Sequence, residues 1–491
     1  MKRIEKPLVN IAQLLRIVGL LMLFEGMFLI VPTLTCIYYN EGDWLPFAAT
    51  TVLTAGIGMM LMTRIHPRTG HMGKRDGFLL TALVWVIFSL FGMIPFLTCS
   101  SPMSVSDAFF EAMSGFTTTG ASAFTNTAGM SHGVMIWRAL MQWIGGMGII
   151  LFTLAVVPML NHSGGMQMFN AEVTGITHDK IRPRISQTAK SLWMIYISLT
   201  LLLIELLWLG PMDAFDSICH AFGAVSTGGF STDTFEAIAY HSVYVKVVLT
   251  VFMFLGGVNF GMIFKGLSGN FGAVRRNDVF RAYVIAIAVF YVLFVISAIS
   301  GGNCHSWRDA TINPIFEVVS TITSTGYSTG EIVGWSPFVM SLMLLMMFSG
   351  ACAGSTSGGA KIDRILFLIK NCRNEIYRSI HPNAIMSVRV NGRVVSPDLV
   401  NKVIAFLCIY MLLVIGGGVV LSAMGIPIID AFFSAFSCMS NTGLGAEITG
   451  YGATYALLPA AAKWVLSLLM LIGRLEIFTV LVLFAPAFWR K

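Results

Sequence analysis

The sequence predicts an all-α polytopic membrane protein. Four parallel repeats, each a span, a pore helix and a second span, surround a central pore, preceded by two extra N-terminal transmembrane helices. Three observations carry this. Apolar stretches long enough to cross a bilayer recur along all 491 residues, of which 56% are hydrophobic and 11% charged, which excludes a water-soluble globule. Basic residues cluster in alternate connections between those stretches. Four of the other connections hold a short apolar segment closing on a Thr-Gly pair.

Taken in order, ten full spans are expected at 15–38, 44–63, 77–98, 134–160, 191–210, 243–267, 282–300, 337–370, 400–424 and 455–487. The first apolar run is too long for a signal-peptide core and lacks a small-residue cleavage site, so it reads as a retained span. Both termini then share one side, and that side holds 26 of the 31 Lys and Arg. The opposite side has only Arg138, Lys246, Arg308 and Lys463, so the rich side is expected to be cytoplasmic. The net charge of +7 is dispersed over these short loops, and no nucleic-acid partner is expected. The eight cysteines stand singly without a CxxC pair or a histidine cluster, which suggests neither a disulfide framework nor a structural metal. The regions expected are a two-span unit at 1–75 and pore repeats at 76–162, 190–268, 280–372 and 398–491.

Each repeat is defined by one short segment. The first runs Asp107-Ala-Phe-Phe-Glu-Ala-Met-Ser-Gly-Phe-Thr-Thr-Thr-Gly120. The last runs Asp430-Ala-Phe-Phe-Ser-Ala-Phe-Ser-Cys-Met-Ser-Asn-Thr-Gly443 and is identical to it at eight of fourteen positions. The third, Asn313 to Gly326, keeps that length and matches the first at six positions. The second is looser, Phe215 to Gly228, and closes Ala-Val-Ser-Thr-Gly-Gly-Phe-Ser. About 10 helical residues reach roughly 15 Å into a hydrocarbon core about 30 Å thick, too little to span it. Two full crossings per repeat leave all four units pointing the same way, which suits a ring rather than the inverted halves of many carriers.

A dehydrated cation needs converging oxygens, and non-helical backbone lining a water-filled path supplies them as carbonyls. Gly120, Gly228, Gly326 and Gly443 tolerate the angles that turn carbonyls inward. Thr118, Thr119, Ser226, Thr227, Ser324, Thr325, Asn441 and Thr442 can hold that shape through local hydrogen bonds. Each half-helix also aims its negative C-terminal end at the path. One such turn would read as small-residue packing; four in matching contexts point to a cation filter, for which composition alone specifies only a monovalent ion.

At these residues the chain resembles the Trk/Ktr/HKT superfamily of cation transporters, and within it the TrkH/TrkG branch of potassium-uptake subunits. The resemblance covers nearly the whole chain and includes Trp137-Arg138, Gln142-Trp143-Ile-Gly-Gly-Met-Gly148, the run Ser349 to Lys361 followed by Arg364, and Gly473-Arg474-Leu475-Glu476. The extra N-terminal pair favours the Trk over the Ktr branch. In plant relatives a serine at the first filter glycine goes with sodium preference, so Gly120 implies potassium, held at the filter residues as the transported ion and not as a cofactor. One glycine per repeat, in place of Thr-Val-Gly-Tyr-Gly, implies weaker discrimination against sodium than in ordinary potassium channels. The resemblance further implies a bacterial cytoplasmic (inner) membrane location, a homodimer with one pore per protomer, and a cytoplasmic TrkA-type nucleotide-binding regulatory subunit. The short loops carry no GxGxxG after a strand, so nucleotide sensing would fall to that partner. Lys361 to Lys402 and Lys180 to Lys190 are the candidate docking surfaces.

Span 337–370 carries Gly350, Gly354, Gly358 and Gly359 in its middle. At about 1 kcal/mol each relative to alanine, these glycines should unwind the helix inside the membrane. Close helix packing through small residues is the competing reading; the resemblance implies an intramembrane gating loop at 350–359. Arg474, deep in the last apolar run, costs at least about 2.5 kcal/mol unless it meets water or a partner. It is read as contacting loop carbonyls or projecting positive charge into the path, against a buried ion pair with another helix. Glu476, two residues on, points elsewhere on a helix. Lys361 and Arg364 stand equally as gate residues and as positive-inside anchors. Gln142 and Asn259 read as interhelical hydrogen-bond residues, His220 as structural, and Asp107, Asp213 and Asp430 as half-helix caps with a secondary role in attracting cations. An intramembrane enzyme would need a nucleophile with a base, paired acids or metal ligands in the spans, and no convincing set is present.

Overall fold

The computed structural model describes residues 9–66, 72–125, 127, 129–146, 148, 185–232, 242–300, 307–328, 337–446, 449 and 454–490. Two N-terminal helices, Ile11–Tyr38 and Trp44–Arg64, form a hairpin in which a methyl group at Gly19 would meet the Gly58 carbonyl at 2.8 Å, and one at Gly58 the Gly19 carbonyl at 2.7 Å. That close approach is the small-residue packing expected between helices in lipid. The turn between them is tied to the first repeat: Glu41 accepts from the His132 backbone at 2.8 Å, and Asp43 from Ser100 N at 2.8 Å and Ser131 Oγ at 2.6 Å.

Four half-helices follow, at Val105–Phe116, Ala214–Ser226, Trp307–Ile322 and Ile428–Ser440. Each lies between two apolar helices. Ser104 caps the first and Asp213 the second, accepting from Asp107 N and Asp216 N at 3.2 and 2.7 Å. Of the expected spans, Lys74–Thr98, Ala189–Trp208, Asp278–Ser300 and Pro397–Ala423 are long and apolar enough to cross a membrane, as are the two N-terminal helices. The span expected at 134–160 begins as the helix His132–Gly146, and its remainder lies largely outside the described residues.

Three of the expected spans are broken, and only the one at 337–370 was expected to be. The second repeat's inner span divides into Val243–Gly257 and Phe260–Leu267, bent by 106°, and the last span into Ala460–Arg474 and Phe478–Phe484, bent by 117°. Asn259 caps the new start at the first break, accepting from Gly261 N at 2.8 Å. The third repeat's inner span divides into Pro337–Ser349 and Ile362–Ile380, and residues 350–361 between them leave the helix. On the Lys- and Arg-rich side, a hairpin pairs Arg389–Val390 with Arg393–Val394 across an Asn391-Gly392 turn with positive φ at both residues, the usual two-residue hairpin chemistry. The Lys361 to Lys402 surface is therefore a helix and a hairpin, whereas of 180–190 the first five residues lie outside the described residues and the rest begin the helix Ile185–Trp208.

Candidate functional site

All four half-helices end in the same way. One or two residues past the helical run the backbone turns left-handed, at Thr118, Thr227, Ser324 and Asn441, with φ of 54, 55, 55 and 53°. The next residue's N–H then reaches back across the last turn: Thr119 to Ser114 O, Gly228 to Gly223 O and Thr325 to Ser320 O at 2.8 Å, and Thr442 to Ser437 O at 3.0 Å. This pair of features is a Schellman closure. A positive-φ glycine follows in every repeat: Gly120, Gly229, Gly326 and Gly443, at 82, 80, 79 and 79°.

The backbone thus corrects the register of the second repeat. Its triplet is Thr227-Gly228-Gly229, and Gly229, not Gly228, stands where Gly120, Gly326 and Gly443 stand. Ser226 is the last residue of the half-helix rather than a member of the triplet. The sequence did hold a usable signal, because Asp216 occupies the position of Asp107, Asn313 and Asp430 once Gly229 is matched to the other three glycines.

The triplets close on one another as a ring. A methyl group built at Gly120 would strike the Gly228 carbonyl oxygen, at Gly229 that of Thr325, at Gly326 that of Thr442, and at Gly443 that of Thr119. Each glycine therefore sits against the carbonyl preceding the next repeat's glycine, and the fourth returns to the first. Of the twelve backbone carbonyls in the triplets, only that of Gly228 accepts a protein hydrogen bond among the described residues, from Gln142 Nε2 at 2.7 Å. Buried carbonyls are nearly always paired. A ring of them without protein donors is a set of oxygens presented to something else.

Hydroxyls and ion pairs brace the ring. Thr117 and Thr119, Thr323 and Thr325, and Ser440 and Thr442 are each joined through side-chain oxygens at 2.8 Å; glycine at 228 leaves the second repeat without this tie. Asn441 Nδ2 donates to Thr119 Oγ1 and Met470 O at 3.0 Å. Sequence reading missed the buried pair Glu111–Arg138, Oε1 to Nε at 2.8 Å, in which Glu111 also accepts from Ala123 N at 2.7 Å and so fixes the strand leaving Gly120. Three of the four basic residues assigned to the sparsely charged side are stitches between repeats. Arg138 reaches Ser231 O at 3.4 Å, Lys246 donates to Asn313 Oδ1 at 2.6 Å, and Lys463 pairs with Asp107. Asp107 thus has a basic partner as well as its place in the first turn. His220 is fully buried, with Nδ1 2.7 Å from Asp216 O.

Residues 350–361 lie beneath this ring and touch its second, third and fourth quarters. Gly358 N donates to Ser324 Oγ at 2.5 Å, Thr356 Oγ1 to Val225 O at 3.1 Å, and Cys352 N to Gly257 O at 3.1 Å; a methyl group at Gly358 would strike Ser440 O. Gly350, Gly354 and Gly359 have positive φ, and so does Lys361 at 73°, whose ammonium donates to Ser357 O. Arg474, at the break in the last span, donates to Thr356 O in the loop and to Gly145 O in the first repeat, both at 2.8 Å. Asn259 Nδ2 holds the loop at Ala353 O, 2.6 Å away. Glu476, beyond Arg474, pairs with Arg364 at the start of the helix that follows the loop. Glu476 and Ile477 have φ of 56 and 31°, a strained turn for an isoleucine.

The family described as "TrkH: Cation transport protein" matches residues 46–275 and 279–491. The chain is 38% identical over 482 residues to the Trk system potassium uptake protein TrkH of Escherichia coli (strain K12), covering 97% of this chain and 99% of that one. It is 30% identical over 477 residues to TrkG of the same organism, covering 96% and 97%. The crystal structure of the potassium transporter TrkH from Vibrio parahaemolyticus superposes with a TM-score of 0.88 at 32% identity, covering 98% of this chain and all of that one.

Proposed function

The chain belongs to the TrkH family of cation transport proteins, and from that premise we propose that it takes up potassium through a gated pore whose filter is the ring of four triplets. The observation that carries this is the ring itself, in which eleven of twelve backbone carbonyls have no protein donor among the described residues. Carbonyl oxygens at that density can replace the water around a potassium ion. The left-handed residue and the positive-φ glycine together fix their direction, and the hydroxyl ties keep the ring from collapsing when it is empty.

The loop at 350–361 is the gate. It is latched to the ring by Ser324, to the second repeat by Val225 and Gly257, and to the first and fourth repeats through Arg474. Lys361 belongs to the gate with Gly350, Gly354, Gly358 and Gly359, because its ammonium is bonded within the loop rather than extended as an anchor. The chain works as the membrane subunit of a Trk-type system in the bacterial inner membrane, as a homodimer with both termini cytoplasmic. A TrkA-type nucleotide-binding regulator docks on the helix and hairpin between Lys361 and Lys402. Like the relatives named above it is a transporter, and the buried Glu111 of its first repeat serves the ion pair with Arg138. Rubidium influx into proteoliposomes, or into cells deficient in potassium uptake, tests this; folded protein that carries no rubidium with its regulator present would refute it.

A further inference from the structure

Between the first helix, the third helix and the first repeat lies a cleft lined by none of the ring triplets. Its walls are aromatic: Phe24 and Phe28 from the first helix, Trp85 and Phe88 from the third, and Phe116 at the end of the first half-helix. One acidic group faces it. Glu25 stands about half-way along Ile11–Tyr38, is 1% exposed, and has no hydrogen-bond partner on either carboxyl oxygen among the described residues. Glu111 and Asp216 of the repeats, by contrast, are engaged by Arg138 and by the Thr232 hydroxyl. A carboxyl in the interior of a membrane protein without a partner points to a ligand that supplies one.

The surroundings select the chemistry of that ligand. An acyl chain would fill the aromatic space and leave the carboxyl unpaired, which costs free energy in an apolar site. An alkali ion would find two carboxylate oxygens and ring faces, far short of the oxygen shell it gives up. A primary ammonium on an aromatic or aliphatic body satisfies both halves: its N–H groups pair with the carboxylate, its charge lies over ring faces, and its body fills the rest. We propose that this cleft is a binding site for a lipophilic primary ammonium compound, with Glu25 as its counter-ion and Trp85, Phe88 and Phe116 as its aromatic walls. The site also adjoins the gate. Trp85 lies 5.9 Å from the Arg474 guanidinium, and Gly145, which lines the cleft, is the residue whose carbonyl Arg474 holds.

Isothermal titration of the full chain in zwitterionic nanodiscs, with empty nanodiscs subtracted, tests this without any measurement of flux. 2-Phenylethylamine should bind saturably. Its neutral analogue 2-phenylethanol, and the amine with Glu25→Gln protein, should bind at least about tenfold more weakly. Equal affinities, or no saturable binding of the amine to the wild-type chain, would overturn the proposal. Should Glu25→Gln fail to fold, the wild-type chain with 4-bromo-2-phenylethylamine decides: bromine anomalous density in the cleft supports the site, and its absence or placement elsewhere overturns it.

Discussion

Arg474→Ala releases the gate in a way whose size follows from the geometry. Arg474 makes charge-assisted hydrogen bonds of 2.8 Å to Thr356 O, which engages the loop, and to Gly145 O, which anchors the guanidinium to the first repeat. A hydrogen bond to a charged group contributes about 1.5–3 kcal/mol net. Losing the loop's bond therefore shifts the closed-to-open equilibrium by about 10- to 150-fold, at 1.36 kcal/mol per decade. Removing the positive charge from the path adds to the effect. Rubidium influx into proteoliposomes without the regulator should rise by that range. Arg474→Lys should fall between wild type and alanine, because an ammonium cannot make both bonds with the geometry of the guanidinium fork. Basal influx that stays level or falls in monodisperse, normally folded Arg474→Ala protein would refute the reasoning.

The corrected register separates two neighbouring glycines. Gly229→Ala sets a methyl group against the Thr325 carbonyl in a left-handed conformation and should abolish uptake. Gly228→Ala has Gln142 side-chain atoms as its nearest neighbours rather than a backbone carbonyl and should retain measurable rubidium uptake; the reverse order would restore the Ser226-Thr227-Gly228 reading. Gly120→Ser should raise sodium influx relative to potassium, and an unchanged ratio in the same vesicles would count against the filter assignment. For the buried pair Glu111–Arg138, Arg138→Ala strands an ionised carboxylate and should cost about 3–5 kcal/mol. Arg138→Met combined with Glu111→Leu should recover part of that in thermal unfolding, and equal losses in both proteins would show that the charge is not the cause.

The ring was legible in the sequence because Thr-Gly after a short amphipathic helix repeats at fixed spacing from an Asp or Asn at its start. The register of the second repeat was not, because Ser226-Thr227-Gly228 spells the same letters as Ser324-Thr325-Gly326 while the Schellman closure falls one residue later. Letters at the end of a helix record side chains; the backbone turn is counted from its start, where Asp216 gives the frame. The loop at 350–361 announced itself through its glycines. The breaks after Gly257 and Arg474 did not, because both apolar runs resume directly past them, with Asn259 the polar residue at the first and Arg474 and Glu476 the charged ones at the second. Arg138, Lys246 and Lys463 looked like exceptions to the charge bias, and each instead joins two parts of the chain far apart in sequence.

Rubidium anomalous scattering from the wild-type chain in potassium-free rubidium buffer bears most directly on the filter. The account predicts a peak on the axis enclosed by the carbonyls of Thr119, Gly228, Thr325 and Thr442. Saturating rubidium with no peak inside that ring, or with ordered peaks only elsewhere, would contradict it.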